Sequence, residues 1–332
     1  MDKLKENREP PILKVEHLKT YFPISQKLIG KSSYLKAVDD VSFSLDKGET
    51  LGIVGESGCG KSTLGNSIIR MVEPTDGNVY YQGKNMTRIK AKKFKPYRKN
   101  IQMIFQDPFS SLNPRMRIFD IVAEPLRTHH VLNGKKLKTR VHELLETVGL
   151  DPDLSKRLPH EFSGGQRQRI GIARAIALNP DIIICDEPVS ALDVSIQAQI
   201  LNLLDRLQKE LDLTFIFIAH GIPAVKYISD RIAVMYMGEI VELADKDVLF
   251  DDTMHPYTDI LISSVPSTDP YHRTISDENV VADEINQEGN EVTGCQFASR
   301  CPLATDYCRE VRPELEELKP NHYVRCHYPL EH

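Results

Sequence analysis

No apolar run in this 332-residue chain approaches the roughly 18 residues that a membrane-spanning helix needs. The stretch TFIFIA at 214–219 has instead the length of a buried strand. The opening MDKLKENREP has no apolar core, so the sequence predicts no secretory signal and a chain kept in the cytosol. Basic charge is not in excess either. Lys and Arg number 42 against 47 Asp and Glu, a net charge of -5, which gives no general ground for nucleic-acid binding. Internal repeats and low-complexity tracts are absent. Cysteine is scarce until the end of the chain: two of the six are Cys59 and Cys185, and the other four fall between 295 and 326. In the cytosol disulfides are disfavoured, so a disulfide framework is not expected there.

The chain exceeds the usual size of one hydrophobic core, so one large domain plus a smaller one is expected. Its 41% hydrophobic and 27% charged residues are ordinary for a soluble globular protein. Residues 12–22 and 38–48 alternate as strands, joined by a loop carrying Lys27, Lys31 and Lys36. Short buried-type strands are expected at 50–54, 101–105, 182–185 and 214–219. Helical patterns occupy 61 to about 71, about 136–149, 164–178 and 195–211. Strands alternating with helices imply an α/β fold with a mainly parallel, covered sheet. Residues 267–293 carry seven acidic side chains and only Arg273 as a basic one, and read as an acidic linker before the cysteine-rich tail.

GESGCGKST at 55–63 fits the pattern G-x-x-x-x-G-K-[ST] between a strand and a helix. Backbone N–H groups in such a loop face phosphate oxygens, and the helix N-terminus adds a favourable dipole. Gly55, Glu56, Ser57, Gly58, Cys59, Gly60 and Thr63 would line the phosphates. Lys61 would reach the β- and γ-phosphates, and the Ser62 hydroxyl would ligate Mg²⁺. The strand IIIC ends in Asp186 and Glu187, at the sheet edge where α/β proteins bind ligands. Asp186 would hold Mg²⁺, leaving Glu187 to polarise a water for in-line attack. An isolated Asp-Glu pair would be a solvated turn; beside a phosphate loop it reads as catalytic.

FSGGQRQR at 162–169 precedes a helix of small and apolar residues. Ser163 is a good N-cap, and Gly164 and Gly165 would allow close backbone approach to an anion. With this S-G-G-Q the sequence resembles the ATP-binding cassette (ABC) ATPases. Gln106 in FQDP matches their Q-loop, Asp193 in SALD their D-loop and His220 their switch histidine. Tyr21 or Phe22 matches an aromatic that could stack on adenine. Taken singly, Gln106 reads as a surface residue, His220 as a strand-end histidine and Tyr21 as core; their joint order and spacing give the functional reading. The resemblance runs from 12 to 328. It implies a P-loop NTPase fold with a RecA-like core, an antiparallel β subdomain, a helical subdomain at about 107–180 and a small C-terminal Cys-rich domain at 294–332, after an N-terminal tail at 1–11 and an ATPase domain at 12–266. It implies ATP with Mg²⁺, Gln106 joining Ser62 and Asp186 around the metal, and catalytic roles for Glu187, His220, Gln106 and Lys61. It further implies that Ser163, Gly164, Gly165 and Gln166 of one cassette complete the site of another. One departure is Gly221, where most relatives carry Asp after the switch histidine.

Within that family, GESGCGKSTLG, QDPFSSLNPR, DEPVSALDVS, YMGEIVE, HPYT and the cysteine-bearing tail resemble the importer ATPases of the oligopeptide/dipeptide type, in their second ATPase subunit. This resemblance implies a peripheral protein on the cytoplasmic face of the membrane. Its implied partners are a second ABC ATPase subunit, two transmembrane permease subunits and an extracellular solute-binding protein, with no nucleic acid. The transported solute stays open among peptides, nickel and other small solutes. A soluble ABC protein of translation or DNA repair, and an ATPase serving a redox- or metal-sensing tail, are the other classes. Tandem cassettes or long coiled-coil insertions, usual in the former, are missing.

Cys295, Cys301, Cys308 and Cys326 are spaced C-x5-C-x6-C-x17-C, looser than usual zinc pairs or ferredoxin runs. The pattern favours four ligands on one site over four separate buried thiols, while Cys59 and Cys185 read as fillers. Arg300, Arg309 and Arg325 adjoin three of the four and are expected to lower the thiol pKa values. His322 and His327 leave a zinc site open. The importer resemblance implies a [4Fe-4S] cluster, with Zn²⁺ as the alternative.

Overall fold

The computed structural model of the protein describes residues 10–25, 33–107, 109, 111–264 and 293–331. All but Thr293 of the acidic stretch 267–293, most of the N-terminal tail, and Lys27 and Lys31 lie outside the described residues. The strands are β1 (Leu13–Ser25), β2 (Ser33–Leu45), β3 (Thr50–Val54), β4 (Asp76–Tyr81), β5 (Lys84–Asn85), β6 (Ile101–Ile104), β7 (Ile182–Asp186), β8 (Thr214–Ile218), β9 (Arg231–Tyr236), β10 (Glu239–Asp245), β11 (Glu316–Lys319) and β12 (His322–Val324). The helices are α1 (Lys61–Ile68), α2 (Ala91–Phe94), α3 (Ile118–Thr128), α4 (Gly134–Thr147), α5 (Gly164–Ile176), α6 (Val194–Leu211), α7 (Ile222–Ile228), α8 (Lys246–Asp251), α9 (Pro256–Ser263) and α10 (Asp306–Glu310). The chain divides into two compact units: Met1–Lys14, Ser44–Leu51 and Val79–Ala219 form the first, and Val15–Phe43, Gly52–Asn78 and His220–His332 the second.

In the first unit β6, β7 and β8 pair in parallel, with Ile101 opposite Ile182 and Ile182 opposite Thr214. Every residue of β7 and β8 is buried, which is why IIICD and TFIFI read as continuous apolar runs rather than alternating ones. Helices α3, α4 and α5 pack on one another, and α6 packs on α5. Their buried residues recur at helical spacing, as in Leu137, Val141, Leu144 and Leu145 of α4. The parallel strands and these helices match the α/β expectation from the sequence.

In the second unit α1 stops at Ile68, short of the expected Met71. Arg70 turns into the left-handed region (φ 54°), and the Met71 N–H bonds back to the Asn66 carbonyl at 2.8 Å. Strands β9 and β10 form an antiparallel hairpin through Met237 and Gly238, both with positive φ (45° and 86°). The tail joins the same sheet: Leu243 of β10 pairs with Tyr323 of β12, and β12 pairs with β11.

A buried carboxylate fastens this extension. Glu242 is fully enclosed and accepts from the backbone N–H of Met254 (2.7 Å) and His255 (3.0 Å), while its Oε1 lies 2.7 Å from Nε2 of the equally buried His322. Glu242→Leu strands two backbone donors and the imidazole in an apolar setting. It should destabilise the protein by about 3–5 kcal/mol, a fall in melting temperature of roughly 10 °C by calorimetry. A change of less than ~2 °C would show that the network carries no such weight.

Candidate functional site

The second unit carries the glycine loop. Gly60 starts α1 from φ 106°, and a Cβ there would stand 1.9 Å from the Ala37 carbonyl oxygen. At Gly55 a Cβ would meet the Met235 carbonyl oxygen at 2.1 Å. Both positions therefore exclude any side chain, and the loop's path follows from them. Lys61 is buried, and its ammonium donates to the carbonyls of Gly55 (2.8 Å) and Glu56 (2.9 Å). Cys59 is buried with its Sγ 3.7 Å from that ammonium, and burial pushes its thiol pKa up. Ser62 and Thr63 stand half-buried in the first turn of α1, and Ser57 and Gly58 are exposed at the loop's tip.

Glu56 is held from outside the loop. Its N–H donates to the Tyr257 hydroxyl (3.0 Å), and its carboxylate accepts both arms of the Arg300 guanidinium at 2.9 Å. Tyr21 donates its hydroxyl to Asp39 (2.5 Å), which also pairs with Arg312 at 3.1 Å. Burial and the Asp39 acceptor raise the Tyr21 pKa. Lys36 Nζ lies 5.8 Å from the centre of the Tyr21 ring.

The first unit carries the carboxylates and the S-G-G-Q helix. Asp186 ends β7 almost fully buried. Glu187 follows with φ 46°, a left-handed conformation that costs a non-glycine residue about 1 kcal/mol or more. It is held there by its N–H bond to the Ile218 carbonyl (2.8 Å), and its carboxylate accepts from Gln106 Nε2 at 2.7 Å. Gln106 thus meets Glu187 directly. Ser163 caps α5 reciprocally: its Oγ accepts from the Gln166 N–H (3.3 Å) and its own N–H donates to Gln166 Oε1 (3.0 Å). A Cβ on Gly165 would sit 2.5 Å from the Ile196 side chain, and one on Gly164 3.3 Å from Leu192. Close packing on Ile196 in the first turn of α6 requires a glycine at position 165. Asp193 caps α6, accepting from the Ile196 N–H (3.0 Å) and Ser195 hydroxyl (2.8 Å); the Ile196 bond chiefly lowers its pKa.

His220 is exposed and precedes α7 in the second unit. Gly221, the N-cap of α7, has an ordinary extended backbone (φ -87°), and a Cβ there would meet nothing within 4 Å. The glycine is no structural necessity.

The four tail cysteines line one cavity, about 20 Å³ open to the centre of a water-sized sphere, together with His255, Phe297 and His327. All four are free thiols. Burial raises Cys295 and Cys301 and pushes Cys326 up to about 11, with the other thiols adding smaller repulsive contributions. This reverses the expected lowering by neighbouring arginines, whose charges are engaged elsewhere. Arg300 goes to Glu56, Arg309 to Asp306 (3.0 Å), and Arg325 to the Ile240 and Pro313 carbonyls (3.1 and 3.2 Å). His322 Nε2 is engaged by Glu242, and His327 Nε2 lies 2.8 Å from the Val311 carbonyl. Among the described residues no three His, Cys, Asp or Glu side chains are placed to share one metal ion.

Arg167 and Arg174 carried no signal in the sequence reading. Arg167 stacks 3.9 Å from the Phe109 ring centre and donates to the Pro159 carbonyl (2.8 Å), and Arg174 donates to the Ser111 carbonyl (2.7 Å). They tie the segment after Gln106 to α5.

Gly221→Asp should leave the melting temperature within about 1–2 °C of wild type, as open surface positions do. Gly60→Ala should distort the loop and abolish its binding of phosphate ligands, measured by calorimetric titration.

Comparison with known proteins agrees with this geometry. The ABC transporter family matches residues 38–190, and the oligopeptide/dipeptide transporter C-terminal region matches 241–308. The oligopeptide transport ATP-binding protein AppF of Bacillus subtilis is 52% identical over 95% of this chain and 97% of its own. The oligopeptide transport ATP-binding protein OppF of Salmonella typhimurium is 51% identical over 95% of both chains. A dimeric post-hydrolysis structure of an ATP-binding cassette bound to ADP and Pi covers 70% of this chain and 98% of its own, with a TM-score of 0.63 and 28% identity. The chain belongs to the ATP-binding proteins of the ABC transporters, in the group that carries the oligopeptide/dipeptide transporter C-terminal region.

Proposed function

We propose that this chain is the ATPase subunit that powers import of oligopeptides through a membrane ABC transporter. The observation that carries the reading is a phosphate loop with a buried lysine, in a chain about half identical to oligopeptide transport ATP-binding proteins along nearly its whole length. Among the described residues no helix is long and apolar enough to cross a bilayer. The proposed partners are two permease subunits, a second ATPase subunit and an extracellular solute-binding protein, with this chain on the cytoplasmic face.

When ATP arrives, its phosphates replace the Gly55 and Glu56 carbonyls as partners of the Lys61 ammonium. Ser62, Gln106 and Asp186 would hold Mg²⁺, which neutralises phosphate charge when bound. Glu187 accepts a hydrogen bond from the attacking water, whose oxygen bonds to the γ-phosphorus as the bond to the β-phosphate oxygen breaks. Gln106, bonded to Glu187 at 2.7 Å, governs when that carboxylate is released to the water. His220 stabilises the transferring phosphate. Ser163, Gly164, Gly165 and Gln166 of the partner ATPase close the site with a second helix N-terminus, and Asp193 and Tyr21 contribute at the interface and at adenine.

The tail fits a [4Fe-4S] cluster in donor type and number. Four thiols face one cavity, and cluster irons are held one thiolate each. Cys295, Cys301, Cys308 and Cys326 would hold it, and it would brace the tail when bound. Iron and sulfide analysis after anaerobic purification should give about four of each per chain, with absorbance near ~400 nm. Stoichiometric zinc instead would refute the cluster.

Glu187→Gln should keep nucleotide binding, reduce turnover by at least ~1,000-fold and trap an ATP-bound dimer with the partner ATPase on gel filtration. Monomeric behaviour of that variant with ATP and partner present would contradict the shared site.

A further inference from the structure

Arg300, in the cysteine-bearing tail, reaches the phosphate loop. Arg300 adjoins Cys301 in sequence, yet its guanidinium forms a two-pronged pair with Glu56, Nη1 to Oε2 and Nη2 to Oε1, each 2.9 Å. Both side chains are largely withdrawn from water, at 23% and 29% exposure. The guanidinium is walled by Tyr236 and Phe297, each ring centre 5.8 Å away, and those rings pack on Tyr257. Tyr257 in turn accepts the Glu56 N–H. Glu56 is therefore gripped twice, at its carboxylate and at its backbone, and its carbonyl is one of the two oxygens that hold Lys61.

We propose that Arg300 is a positioning residue for nucleotide: through Glu56 it fixes the path of the phosphate loop, so that the cysteine-bearing tail sets the affinity of its own cassette for ATP. The fork geometry is the basis. A bidentate guanidinium–carboxylate pair fixes direction as well as distance, which a lysine in its place does not. The two partners are 244 residues apart in sequence. The inference rests on reading residues 55–63 as the phosphate loop.

The test uses the full-length chain and fluorescence titration with a mant-labelled ATP. Arg300→Met keeps the apolar stem and removes the fork; it should raise Kd for nucleotide about tenfold, with the loss falling mainly on Kd and KM rather than on kcat. Arg300→Lys should recover less than half of that loss in free-energy terms. Glu56→Gln, which leaves the tail untouched, should reproduce the Arg300→Met effect even where Arg300→Met fails to fold. The double variant should bind no more weakly than either single one. Lys61→Ala separates the two readings. Loss of binding in Lys61→Ala with wild-type Kd in Glu56→Gln and Arg300→Met overturns the role of Arg300 alone. Wild-type Kd in Lys61→Ala overturns the phosphate-loop assignment, and this inference with it.

Discussion

A buried ammonium group is the constraint around which the nucleotide loop is built. Withdrawing Lys61 from water costs several kcal/mol unless oxygen atoms surround it. Here the Gly55 and Glu56 carbonyls accept from it, in a loop whose backbone at Gly55 and Gly60 passes where no Cβ fits. In the proposed function incoming phosphates exchange with those carbonyls, so the charge is placed before its substrate arrives. The two glycines and the hold on Glu56 support one buried charge, and loss of any of these supports leaves the Lys61 ammonium with poorer partners.

The first unit stores its readiness differently. Glu187 sits in a left-handed conformation that β7 and β8 impose, with its N–H tied to Ile218 and its carboxylate tied to Gln106. Strain of this kind persists where surrounding structure over-determines it, and it clusters at reactive positions. Arg167 and Arg174 connect the segment after Gln106 to α5, whose first turn is the S-G-G-Q cap. The segment after Gln106 is thereby fastened to the helix that faces a second cassette in the proposed dimer.

Much of the site was legible because its chemistry is local. A phosphate loop needs its glycines, lysine and hydroxyl within nine residues, and a helix cap needs its serine three residues before its glutamine, so both leave contiguous patterns. The parallel strands were equally plain, since burial on both faces removes the polar alternation. Long-range charge pairing was not legible. Nothing near Arg300 in sequence points to Glu56, and the tail arginines, placed beside cysteines, were expected to act on the thiols. In the fold their guanidiniums turn to carboxylates and carbonyls, and burial outweighs the backbone hydrogen bonds to the thiols and raises the pKa values of Cys295, Cys301 and Cys326. The end of α1 was misjudged for a related reason: a left-handed Arg70 carries no sequence mark of its own.

The central claim is that ATP turnover on this chain drives peptides across a membrane. Its most direct measurement uses proteoliposomes holding the permease pair, this chain and its partner ATPase, with the binding protein and a labelled oligopeptide in the compartment opposite the ATPases. ATP supplied on the ATPase face should move peptide to that face, and Glu187→Gln should stop the movement while ATP stays bound. Peptide movement at the same rate without ATP, or with the Glu187→Gln chain, would contradict the account.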